Sequence, residues 1–151
     1  MQLMNEQVSP KGQVAIEIFS PDGKLKDKVN IPNLVVQTGR NYIASRMNDT
    51  AQTQVMSHMG VGSGSVAATL SDTVLGTELT RVALDSDNTV DNVITYIATY
   101  APGVGTGAIT EAGIFNDAAA NTGDLLCRTT FLVVNKAVDD SMVITWTITI
   151  S

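Results

Sequence analysis

Residues 141–151 read SMVITWTITIS, and no other stretch of the chain constrains its fold as strongly. Ile144, Trp146, Ile148 and Ile150 alternate with Val143, Thr145, Thr147 and Thr149. That is the two-residue period of a strand with one face buried and one face turned outward. The pattern predicts a final strand tucked into a sheet, with no lid, tail or catalytic segment beyond it. It also predicts a self-contained β domain that works through its surface rather than through a pocket.

The same period recurs upstream. Over residues 13–20, Val14, Ile16 and Ile18 oppose Ala15, Glu17 and Phe19, and over 92–100, Ile94, Tyr96, Ala98 and Tyr100 oppose Val93, Thr95, Ile97 and Thr99. Ser20-Pro21-Asp22-Gly23 is a turn signal, because Pro presets one dihedral and Gly tolerates a left-handed one. It predicts a hairpin returning over 24–30, which Pro32 then interrupts, as at a sheet edge or a bulge. Further strands are expected over 55–61, 80–84, 108–116 and 124–135. Residues 85–91 read as a polar hairpin loop, 101–107 and 117–123 as loops, and 72–79 as an irregular link. One helix is predicted over 38–48, with Thr38 capping its first turn and an apolar side centred on Ile43 and Met47. Gly39 and Asn41 lower its intrinsic propensity.

About eight short strands with one helix, and no strand–helix alternation, argue against a doubly wound sheet. They predict a mainly-β fold, an antiparallel jelly-roll-like sandwich. The expected organisation is an N-terminal arm over 1–12 and one domain over 13–151, as suits 151 residues.

Hydrophobic residues make up 44% of the chain, enough for a core, but charged residues only 16%, against about 25% in an ordinary domain. Thr, Asn, Ser, Gly and Ala fill the difference. Such a surface suits contact with other protein, because fewer charges lose their water on burial. Net charge is −6, and the nine basic residues form no continuous stripe, so nucleic acid is not an expected partner. Lys24, Lys26 and Lys28 alternate on one strand face, which reads as a solvated or edge-protecting face. No run approaches the roughly 18 apolar residues of a membrane span, and the start MQLMNEQVSP has no signal-peptide pattern. Folding in a reducing cytoplasm is the expectation. The single cysteine, Cys127, excludes an internal disulfide and reads as a small buried hydrophobe in LLCRTTFLVV.

The candidate chemistry is sparse. Gly60-Val61-Gly62-Ser63-Gly64-Ser65 lacks the spacing of a dinucleotide fingerprint and the Gly-Lys-Ser/Thr of a phosphate loop. It reads as an inter-strand loop. His58, the one histidine, has no partner placed by spacing among Asp72, Glu78 and Glu111, and one His with one Cys makes a poor zinc set. Asp85, Asp87 and Asp91 around Asn88 offer oxygens for calcium without the usual loop pattern. Asp72, Glu78, Asp139 and Asp140 are carboxylates without the sugar-stacking cleft that glycoside hydrolysis requires. No catalytic residue, metal or cofactor is therefore assigned, and a non-enzyme is expected.

Several segments carry a resemblance: Asn33-Leu34-Val35-Val36-Gln37-Thr38-Gly39-Arg40-Asn41-Tyr42; His58-Met59-Gly60-Val61-Gly62-Ser63-Gly64 leading into 72–81; Ile109-Thr110-Glu111-Ala112-Gly113-Ile114-Phe115-Asn116; and Leu125-Leu126-Cys127-Arg128-Thr129-Thr130-Phe131 running into 139–150. In this order, over about residues 12–150, the chain resembles small β-rich structural proteins of phage particles, and the same order recurs in some tail-fibre and tail-associated proteins. The resemblance implies an oligomeric structural protein bound to the major capsid protein or to tail proteins of the same phage, assembled in the host cytoplasm. A short domain with an arm, and without a shaft or repeats, favours a trimeric capsid decoration or cement protein over a tail, fibre or baseplate part. The contact residues expected on this basis are Met1, Gln2, Leu3 and Met4 for arm exchange, and Tyr96, Tyr100 and Phe115 for subunit packing. For the three aromatics the competing role is the core of their own domain.

Overall fold

The computed structural model describes residues 6–48 and 54–151, so Met1, Gln2, Leu3 and Met4 lie outside the described residues. Its elements are β1 (Pro10–Phe19), β2 (Leu25–Val35), α1 (Gln37–Ser45), β3 (His58–Gly62), β4 (Glu78–Ala83), β5 (Ser86–Val90), β6 (Val93–Tyr100), β7 (Gly107–Phe115), β8 (Leu125–Lys136) and β9 (Ser141–Ile150). All neighbouring strands pair antiparallel, in the order β4-β3-β7-β8-β2-β1-β9-β6-β5. The architecture is therefore mainly β with one short helix, as expected. Its strands form one continuous nine-stranded sheet curled into a half-barrel, where two separate sheets were expected.

Two stretches of chain make the curl. The first is β2, which pairs with β1 as far as Gly12↔Asn33 and then with β8 through Leu34↔Arg128 and Val35↔Cys127. Pro32, expected to interrupt a strand, sits inside β2 just before this change of partner, and its carbonyl accepts the Thr129 hydroxyl at 2.9 Å. The second is 78–90. Its β4 half pairs with β3, Leu84 N donates to Ser57 O, Asp85 N donates to Ile97 O, and its β5 half pairs with β6. Only Leu84 and Asp85 separate the two edge strands, so the curl must bring the two edges of the sheet together. Strands that change partner in this way are how sheets turn corners.

The β9 half (β2-β1-β9-β6-β5) and the β7 half (β8-β7-β3-β4) bury their concave faces in one core. Val14, Ile16 and Ile18 of β1 and Ile144, Trp146 and Ile148 of β9 share it with Met59 and Val61 of β3 and Ile109 and Ile114 of β7. Trp146 is wholly buried, as its place in the alternation predicts. The expected loop over 85–91 is instead the edge strand β5 with a tight turn at Asp91, whose φ is +53°. All five β5 residues are exposed, so no burial period marks them as a strand. In the segment expected as an arm, β1 begins at Pro10, and Pro10, Lys11 and Gly12 pair with Ile150, Thr149 and Ile148.

The helix differs from expectation at both ends. Val36 precedes its first turn without a side-chain cap, and the Thr38 hydroxyl donates to Leu125 O at 2.7 Å. Ile43 packs on the core, but Met47 lies beyond the last turn and is 91% exposed. Docking is set by Gly39, the buried residue of the helix: a Cβ there would stand 1.9 Å from Leu126 O. The residue that weakens the helix is the one that lets it approach β8. Gly39→Ala improves helix propensity by about 1 kcal/mol, yet steric overpacking costs about 1–3 kcal/mol or more. The expected outcome in denaturant unfolding is net destabilisation. A variant as stable as the parent would show that Gly39 is not the docking constraint.

Candidate functional site

The convex face of the β7 half carries the densest polar chemistry of the described residues. Glu111 stands on β7 and Arg128 on β8, 0% and 3% exposed. A buried carboxylate loses several kcal/mol of hydration unless donors replace its water. Here five do. Oε1 accepts from the amides of Gly64 at 2.8 Å and Thr77 at 2.7 Å. Oε2 accepts from the Gly76 amide at 2.8 Å and from Arg128 Nη2 and Nε at 2.9 and 3.1 Å. The guanidinium then reaches Asp72 Oδ2 at 2.9 Å and Val66 O at 3.0 Å. Asp72 in turn accepts from the Thr69 amide and hydroxyl.

These bonds clamp the 63–77 loop over the sheet. Leu75 fills the space beneath it against Val36, Phe115 and Leu125, a second apolar cluster on the outer face. Its floor is Gly113, where a Cβ would stand 2.9 Å from Leu75. The alternating glycines of 60–65 thus cradle an anion after all, but an internal one. A Cβ at Gly62 or Gly64 would lie 2.5 Å from Glu111 Oε1.

A second clamp holds 117–122. Arg81 lies 3.6 Å over the Phe115 ring and forms a two-pronged pair with Glu78, at 2.8 and 2.9 Å. Its Nη1 donates to the carbonyls of Asp117 and Thr122 at 2.9 and 3.0 Å. A third tie sits at the β8–β9 turn. Asp140 accepts from Lys26 Nζ at 2.8 Å and the Ala137 amide at 2.9 Å, while Lys136 Nζ donates to Ala101 O at 3.1 Å. Burial pushes the Lys136 ammonium below its ordinary range, and Asp140 opposes that shift.

The expected site residues are not brought together. Tyr96, Tyr100 and Phe115 are 5%, 0% and 0% exposed, which places them in the core of their own domain and leaves no surface for subunit packing. The Tyr100 hydroxyl donates to Met59 O at 2.6 Å, and burial raises its pKa. His58 Nδ1 lies 2.8 Å from Ser57 Oγ. Cys127 is fully buried, and burial pushes its thiol up. Asp85 accepts the Thr99 hydroxyl. Among the described residues, no group of three or more His, Cys, Asp or Glu is placed to hold a metal ion, and no helix is long and apolar enough to cross a membrane. A mainly apolar hollow of about 290 Å³ opens between α1 and the ends of β6 and β9, lined by Tyr42, Ile43, Ile94, Tyr96, Ile148 and Ile150 among others.

Sequence reasoning weighed Glu111 as a partner for His58 and missed its pairing with Arg128. The signal was available: each is a lone charge inside an otherwise apolar strand run, AITEAGIF and LLCRTTFLVV. Comparisons with protein-family models, with curated proteins and with solved structures return no match for this chain.

Burial acts to raise the Glu111 carboxyl, but the Thr77 and Gly76 amides, Arg128 and the Gly64 amide outweigh it and hold the group below its ordinary 4.5. Asp72 is likewise held below 3.8: burial acts upward, and Thr69 and Arg128 outweigh it. With folded values depressed, the stability these groups contribute is complete above the unfolded values and is lost as pH falls through the folded ones. Protection of the 63–77 amides, taken relative to the intrinsic exchange rate at each pH, should therefore be high at neutral pH and fall below about pH 4 before that of the core strands. Simultaneous opening of loop and core would contradict a separate clamp. Glu111→Gln keeps the size but points an NH2 at donors or strips Arg128 of its counter-charge. It should cost about 3–5 kcal/mol in urea unfolding, and a loss under about 1 kcal/mol would contradict the role given to the carboxylate.

Proposed function

We propose that this chain is a non-enzymatic structural protein of a phage particle, a decoration or cement protein that binds the outer shell of the capsid and stabilises it. The observation that carries the reading is the distribution of side chains: buried charges serve as internal ties, while apolar side chains stand exposed at several places, a group of them on β8 and its following turn. Thr130 pairs with Glu111 and Val134 with Ile109, so 131–133 oppose Thr110 alone and form a bulge. Bulges re-aim side chains, and this one leaves Leu132 91% exposed beside the half-exposed Val133. Val138, in the following turn, is also exposed. Burying such side chains against a shell protein contributes about 25 cal/mol per Å², repeated over every copy.

The resemblance in segment order and the low charge support the same reading. Tyr96 and Tyr100 are buried and Tyr42 half-buried, so the tyrosines give no support to a receptor-binding tip. In this reading the two halves of the curled sheet act as the layers of a jelly-roll-like sandwich. The partner is the major capsid protein, and the copies associate with one another on a virion assembled in the host cytoplasm.

Leu132→Asp and Val138→Asp test the assignment. Both variants should melt close to the parent, yet their occupancy on stripped capsids should fall by about tenfold or more, read by co-sedimentation and cryo-electron microscopy. Parent-like occupancy in both would remove this surface from the contact. Density confined to the tail would transfer the role to a tail, fibre or baseplate component.

A further inference from the structure

The two halves of the sheet treat their convex faces differently. The β7 half covers its own with the clamped 63–77 loop and the Leu75 cluster. The convex face of the β9 half has no described element packed over it. Its composition follows from register. One row across the five strands runs Asn30–Ala15–Thr145–Ile97–Ser86, and the next row toward the β2 corner is also uncharged. Ala15, Thr145 and Ile97 are each only partly exposed, as side chains in the middle of a broad face are. Charges enter the row on the other side, with Lys28 and Glu17 toward one end and Asp85, which accepts the Thr99 hydroxyl, at the other.

The geometry points to this face as the contact between two copies of the chain, related by a two-fold axis along β9. Three features select a second copy as the occupant. First, β9 is the middle strand of the five. A two-fold axis along it lays the β2 edge of one copy over the β5 edge of the other, and brings Thr145 against its own equivalent. Second, that operation sets Lys28 opposite Asp85 of the other copy, twice over, and leaves Glu17 opposite a threonine. The net −6 chain thus meets itself where like charges do not face each other. Third, five strands at about 4.8 Å over about 20 Å of strand length give at most roughly 480 Å² per copy, which the curl of the face reduces. The pair then buries no more than about 1,000 Å², the range of a weak contact.

Such a contact is isologous, so it closes at two copies and gives a dimer in place of the expected trimer. The inference does not depend on a virion role. At this size the dimer is weak and forms in the micromolar range.

Sedimentation velocity of the full chain from about 1 to about 500 μM tests it, with circular dichroism to verify the fold of each variant. The parent should pass from monomer to dimer. Thr145→Lys, which sets two ammonium groups together on the axis, should weaken the dimer by about tenfold or more. Lys28→Asp and Asp85→Lys should each weaken it, and the double variant should recover to within about threefold of the parent. A parent that stays monomeric throughout, a trimer, a dimer indifferent to Thr145→Lys, or charge variants without mutual rescue would each overturn the inference.

Discussion

A carboxylate removed from water must have its hydration replaced donor by donor, and the outer layer of this protein is arranged around that requirement at Glu111. Three backbone amides and one guanidinium meet its two oxygens. Because the amides belong to 64, 76 and 77, satisfying the charge and fixing the loop are one event. The glycines at 62 and 64 follow from the same requirement, since a side chain there would occupy the space of the carboxylate. Arg128 extends the constraint to Asp72 and Val66, so both limbs of the loop answer to one ion pair. Replacing a buried pair by apolar residues is often neutral for stability. The value of this pair lies in specifying where a 15-residue segment without its own strand or helix must lie.

Arg81 repeats the device with Glu78, and both of these side chains are buried as well. Its guanidinium rests on the Phe115 ring, which belongs to the apolar cluster of Val36, Leu75 and Leu125. The apolar cluster under the first loop is therefore also the platform of the second clamp. The two loops are coupled through Phe115, an aromatic that sequence reasoning offered to a partner subunit. Burial of that ring is what allows both loops to be held without strands of their own.

The readable and unreadable parts of the sequence divide along one physical line. Where burial is one-sided, alternation reveals it: β1, β6 and β9 follow their apolar periods. β5 has no such period because both of its faces meet water, and only its pairing with β6 makes it a strand. The continuity of β2 through Pro32 is equally invisible locally, because it depends on β8, nearly a hundred residues away. The glycine run at 60–65 could be seen and its phosphate reading dismissed. What it surrounds is supplied by Glu111, 47 residues on from Gly64. Gly39 was legible as a weak helix residue, and its reason is a carbonyl on another strand.

The clamps also bear on which surfaces remain for partners. A loop fixed by three amide hydrogen bonds to one carboxylate cannot rearrange to meet a second protein without exposing that charge. The convex face of the β7 half is thus committed to the fold. The bulge at 131–133 and the Thr-rich face of the β9 half are under no such obligation. The bulge presents apolar atoms that gain from burial against a different surface. The Thr-rich face gains little from burial alone, but its near absence of charge removes the desolvation penalty that would oppose contact. The two surfaces therefore suit different partnerships: a protruding anchor for a pocket elsewhere, and a broad neutral face for its own copy. Both remain free for contact because the β7 half has already satisfied its charges internally.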